Sequence, residues 1–285
     1  MKSKQHTLWL LAAMSAPLAH FSGCGWLTAA LAASAILPLT LLPKSWENRA
    51  KPLALGQILW LGAVAGAMLS GSGAYWPSDN DLAVPLTILV LAALTGAPAA
   101  PRIGALLALC MALLTIPAAV SGAARLEPEW LRPTVGEWPW GLTLALLLPC
   151  LPAAKEGGKH GTVLGGLLAL ALSVLVQGIV SARVAASVPD PFYQTARTLG
   201  YLEPILAVAI TLGWYALTIY LLQSARTIAS EGGMNEIWAS VLVLGTAVGA
   251  VLLRVQAQTP FWTVFSVFFW VLSPFLTQIK KVGKR

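Results

Sequence analysis

Long apolar runs, separated by short polar or proline- and glycine-rich stretches, organise the chain from Thr7 to its end. Ten such runs can be marked, near 7–22, 24–42, 53–75, 84–100, 102–123, 139–154, 162–182, 201–223, 235–253 and 259–279. A straight helix needs about 20 apolar residues to cross a hydrocarbon core of ~30 Å. Several of these runs fall short of that length. The runs are rich in Leu and Ala and lack the two-residue alternation of membrane β-strands. The pattern predicts an all-α polytopic membrane protein, with residues 1–285 forming one transmembrane domain of ten helices.

Two runs stand apart. The first, from Thr7 to Ser22, is short and interrupted by Pro17. The sixth, from Pro139 to Ala154, is equally short and interrupted by Pro149 and Pro152. Sixteen helical residues reach only about 24 Å. Proline removes a backbone donor and clashes with the preceding turn. These runs open the two halves of a five-plus-five division, with repeat one at about 7–123 and repeat two at about 139–279. Short or broken spans at matching positions mark inverted-repeat transporters and point to a binding site at mid-membrane. There the freed N–H and C=O groups face a cavity instead of lipid. A simple kink is the competing reading, since proline is common in membrane helices.

The charges set the orientation. Only 10% of the residues are charged, against about 25% in soluble domains. With the N-terminus in the cytoplasm, thirteen of the eighteen Lys and Arg residues, including every lysine, fall in inner loops. Arg125, Arg132, Arg183, Arg197 and Arg254 fall outside. A missed or added helix would invert all later loops, so this asymmetry supports ten spans with both termini cytoplasmic. The net charge of +7 therefore reads as a topology signal and not as a nucleic-acid surface. The run after Met1–Lys4 continues into a second span, which argues against a cleaved leader. Trp46, Trp76, Trp130, Trp138 and Trp140 sit at span ends, as headgroup-level anchors do.

The order of several stretches resembles the membrane-permease (B) subunit of spore germinant receptors. These are Asn80-Asp-Leu-Ala-Val-Pro85, Ala100-Pro-Arg-Ile-Gly-Ala105 and Leu126-Glu-Pro-Glu-Trp-Leu-Arg-Pro133, followed by Asp190 to Pro204 and Ser273-Pro-Phe-Leu-Thr-Gln-Ile-Lys-Lys281. The resemblance spans nearly the whole chain. It implies the amino acid–polyamine–organocation superfamily and a leucine-transporter-type 5+5 inverted repeat with helices 1 and 6 broken. It also implies a small germinant, often an amino acid, and partnership with an A subunit and a lipoprotein C subunit. The location it implies is the bacterial cell membrane or inner spore membrane. The chain departs from the family in its trimmed loops, in the single turn Gly23-Cys-Gly25 between spans one and two, and in Pro204 where many relatives carry Arg.

Candidate ligand-binding residues follow from the breaks. Ser15, Ala16 and Pro17 lie at that of span one, and Leu148, Pro149 and Cys150 at that of span six. In the implied fold these stretches face each other, and Thr143 adds a hydroxyl. Spans three and eight flank the site, offering Ser70 and Tyr75, and Thr211 and Tyr215. A hydroxyl bonded back to its own helix is the alternative for each. His20 is either a proton-linked group or a wetted edge residue. Gln177, alone among apolar neighbours on span seven, is either interhelical glue or part of a hydrated path. Asp190-Pro191 reads as the cap and first residue of a short helix before span eight.

Cys24, Cys110 and Cys150 lie in or beside apolar runs without a CxxC pair and read as small core residues. The sequence contains no HExxH, no GxSxG and no intramembrane Asp pair, so an enzyme, a metal site or a cofactor is not expected. The expectation is a membrane receptor subunit that binds an amino acid-like solute and signals germination. The alternative is a secondary amino acid transporter, which the lack of deep carboxylates disfavours.

Overall fold

The computed structural model describes residues 27, 50–70, 72–76, 80–96, 98–132, 167, 171, 174–188, 191–255 and 261–273. The described residues are all-helical, without strands. Three helices are long and apolar enough to cross a membrane: α1 (Lys51–Leu69), α3 (Ala100–Ala123) and α6 (Glu203–Glu231). With the shorter α2 (Ala83–Leu94) and α7 (Glu236–Leu252), they make this an α-helical membrane protein. The chain divides into two compact units. One comprises Met1–Leu37, Pro101–Trp138 and Ala154–Leu217; the other comprises Pro38–Ala100, Pro139–Ala153 and Thr218–Arg285.

In the second unit α1 is buried on nearly every side, as a helix apolar all round must be. It starts with Pro in its first turn, where the missing N–H costs nothing. Gly62 and Gly66 form a small-xxx-small pair against α7. A Cβ at Gly62 would stand 2.6 Å from the Val243 carbonyl oxygen. One at Gly66 would strike the Ala247 carbonyl oxygen and come within 2.6 Å of the Ala250 Cβ. The absence of side chains lets the two backbones touch. Contacts advance together along both helices, so α1 and α7 run parallel. The last described elements, α8 (Phe261–Val267) and a π-turn at Phe268–Leu272, run the other way: Gln57 meets Phe269 and Trp60 meets Ser266.

Turn chemistry fixes the joints. Past α6, Gly233 has φ +64°. Gly233 N–H donates to Ser230 and Met234 N–H to Ala229, the paired bonds of a Schellman ending. Asn235 then caps α7, its Oδ1 accepting from the Ile237 N–H at 2.8 Å. Arg226 donates from Nε to the Ser240 hydroxyl at 2.8 Å, which ties the two helices beside that turn. At the far end of α7 the same geometry recurs with Arg254 in the left-handed position, φ 48°. Its side chain lies 3.7 Å from Asp81.

The expected spans 84–100 and 201–223 need correction at their ends. α2 stops at Leu94, because Thr95, Gly96 and Pro98 cannot continue it. Its twelve residues reach about 18 Å. α6 runs on to Glu231, since Arg226 finds a partner and nothing breaks the helix before Gly232. The expected run 53–75 is α1 plus a separate 3-10 turn at Ser72–Tyr75.

In the first unit α3 presents Leu106, Leu109, Leu113, Ile116 and Val120 outward, one continuous stripe at three- and four-residue spacing. Residues 174–180 are helical. They end at Ser181 (φ 64°), whose hydroxyl caps α4 (Ala182–Ser187). α5 (Pro191–Thr198) begins at Pro191 as expected. It buries Pro191, Thr195 and Ala196 and exposes Arg197 and Thr198.

Candidate functional site

Seven of the expected site residues, Ser15, Ala16, Pro17, Thr143, Leu148, Pro149 and Cys150, lie outside the described residues, as does His20. Ser70 caps the C-terminus of α1 and donates its hydroxyl to the Ala67 carbonyl at 2.7 Å. Tyr75 lies in the 3-10 turn that follows, with its side chain outside what the structure describes. Thr211 donates to the Ala207 carbonyl at 2.8 Å, and half-buried Tyr215 lies one turn further along α6. The Ser70 and Thr211 hydroxyls thus bond back to their own helices. Ser70 belongs to one unit and Thr211 and Tyr215 to the other.

A polar constellation the sequence did not single out lies inside the second unit, between α1 and the end of the chain's last described helix. Gln57 is fully buried. Its Nε2 donates to the Phe269 carbonyl at 2.7 Å. This fixes the amide's orientation, and the Oε1 has no hydrogen-bond partner among the described residues. One turn on, Trp60 donates from Nε1 to the buried Ser266 hydroxyl at 3.2 Å. Its ring stacks on Phe265 with centroids 5.5 Å apart, and Phe269 is 6.1 Å from it. Gly56 makes room for this arrangement: a Cβ there would lie 2.6 Å from the Phe269 ring.

The chemistry of this cluster is neutral. An amide oxygen accepts one or two hydrogens, and the serine hydroxyl, having accepted from Trp60, still has a hydrogen to give. Such a pair can accept from and donate to a polar group by hydrogen bonding. Among the described residues no group of three His, Cys, Asp or Glu side chains occurs that could hold a metal. Gln57 resembles Gln177 in being a single amide within an apolar run; that signal was readable, whereas the partner 212 residues away was not.

Gln177 ties its helix to a turn, which supports the glue reading. Buried in the first unit, it donates from Nε2 to the carbonyls of Trp130 at 2.6 Å and Arg132 at 3.0 Å. Beside it Gly178 accepts from the Glu127 N–H at 3.0 Å, and its missing Cβ leaves space for Leu126 and Leu131. Arg125 closes the cluster, donating to the Thr198 carbonyl at 2.8 Å. Trp76 and Trp130 are exposed at element ends, whereas Trp60, Trp214 and Trp270 are buried core residues.

No protein-family model matches the chain, and no curated protein matches it.

Proposed function

We propose that the chain is a ten-span, permease-like membrane protein of the leucine-transporter type, with a 5+5 inverted repeat and both ends in the cytoplasm. Its solute site lies between the broken first and sixth spans. More particularly, it is the membrane subunit of a spore germinant receptor. It binds an amino acid-like molecule through Ser15–Pro17 and Leu148–Cys150 and passes the signal to A-type and lipoprotein C-type partners. The observation that carries this reading is the direction of the helices. α1 runs parallel to α7 and antiparallel to α8. Spans three, nine and ten of a ten-span chain must do the same if every loop crosses once. The directions therefore support the ten-span count, and the matched proline-broken segments of the sequence support the two halves.

The test is binding of a panel of radiolabelled amino acids to the purified full chain in nanodiscs, alone and with its partner subunits. Saturable binding that falls at least about tenfold in Pro149→Ala, through a lost chain break, supports the reading. No binding by the assembled complex across the panel overturns it. Gradient-driven, saturable uptake into vesicles containing the chain alone selects the transporter alternative.

A further inference from the structure

Among the described residues, the π-turn at Phe268–Leu272 leaves the Phe269 carbonyl without a backbone donor. In an α-register the Ser273 N–H would reach the Phe269 oxygen, four residues back. Here it donates to Phe268, five back. If the wide register continued, Phe269 would be served by residue 274. That residue is proline, which has no N–H.

From this bookkeeping we infer that Gln57 supplies the hydrogen that Pro274 lacks, and that Phe268–Leu272 is a two-register joint latched from α1. In the wide register the Phe269 carbonyl is held by Gln57. In the narrow register it returns to the Ser273 N–H, and the Gln57 amide is released. One residue of register is about 100° of helix rotation. The shift therefore turns Phe265 and Ser266 away from Trp60, which they now stack on and bond to. Trp60, Gln57 and the joint move as one element. Intrahelical π-turns are frequent where helices serve function, and here a side-chain bond from a neighbouring helix holds the turn. The inference is independent of the solute reading.

The experiment uses the full chain in lipid nanodiscs, with Gln57→Leu, Pro274→Ala and the double variant. Amide exchange is read by mass spectrometry over peptides covering residues 265–273. Gln57→Leu is expected to speed exchange there about tenfold, the effect of one buried hydrogen bond. In the Pro274→Ala background the same change is expected to alter exchange less than about twofold, because residue 274 or Ser273 can then serve Phe269. An equal effect in both backgrounds overturns the inference, as does no effect of Gln57→Leu alone. If Gln57→Leu does not fold, recovery of folded protein in the double variant supports the latch. Failure of the double variant while Pro274→Ala folds overturns it.

Discussion

Gln177 stands 2.6 Å from the Trp130 carbonyl, joining helix 174–180 to a turn 47 residues earlier in the chain. One side chain donates to two backbone oxygens at the end of the 3-10 turn at Pro128–Leu131, those of Trp130 and of Arg132 just after it. Gln177→Leu is expected to destabilise the protein by about 1 kcal/mol, the loss of part-buried hydrogen bonds. Thermal unfolding of the full chain in detergent measures it. Gln177→Glu, which removes the donors and adds charge, is expected to be at least as damaging. An unchanged midpoint for both variants would show that the bond is incidental.

The α1–α7 contact gives a sharper contrast. Gly66→Leu places atoms where the Ala247 carbonyl already lies, so the helices must part, at about 1–3 kcal/mol. Gly245→Ala meets nothing within 4 Å and should be neutral or stabilising by up to about 1 kcal/mol through helix propensity. Equal effects of the two changes would mean that the close approach contributes nothing.

Arg254 joins a backbone penalty to a weak attraction. The left-handed conformation of a non-glycine residue costs about 1 kcal/mol. Its ion pair with Asp81, with the two side chains 72% and 69% exposed, is worth between about 0 and 1 kcal/mol. Arg254→Gly is therefore expected to leave stability unchanged or raise it slightly. Arg254→Ala keeps the strain, loses the pair, and should fall about 1 kcal/mol below the glycine variant. Denaturation midpoints of the two variants decide it.

The second unit has two ends, one marked by Lys51 and Gly233 and the other by Asp81 and Arg254. In a chain freed of Cys24, Cys110 and Cys150, single cysteines replacing Asp81 or Arg254 should react with a membrane-impermeant maleimide in intact cells. One replacing Gly233 should react only after the cells are opened. The reverse pattern would invert the orientation read from the lysines.

Fold class was legible because composition and run length leave no soluble alternative, and α1, α3, α6 and α7 fall where apolar runs predict. Helix ends were less legible. Gly96 and Pro98 sit inside an apolar run and stop α2 early, while α6 passes through Arg226, which looks like a loop residue until Ser240 is seen to receive it. Pro191 opened its helix as read, because a cap and a first-turn proline are local signals. Gln57 and Ser266 escaped attention because their meaning is a tertiary pairing. The π-turn escaped because Pro274 reads equally as a kink, a break or an end. The first and sixth segments, on which the solute reading leans, lie outside the described residues.

The separation of 212 residues between Gln57 and Phe269 has a consequence for biosynthesis. Synthesis at about 5–20 residues per second puts roughly 10–40 s between the two. Until α8 is made, the Gln57 amide cannot bond to the Phe269 carbonyl, so a chain cut short before α8 lacks this tie between α1 and its late partner.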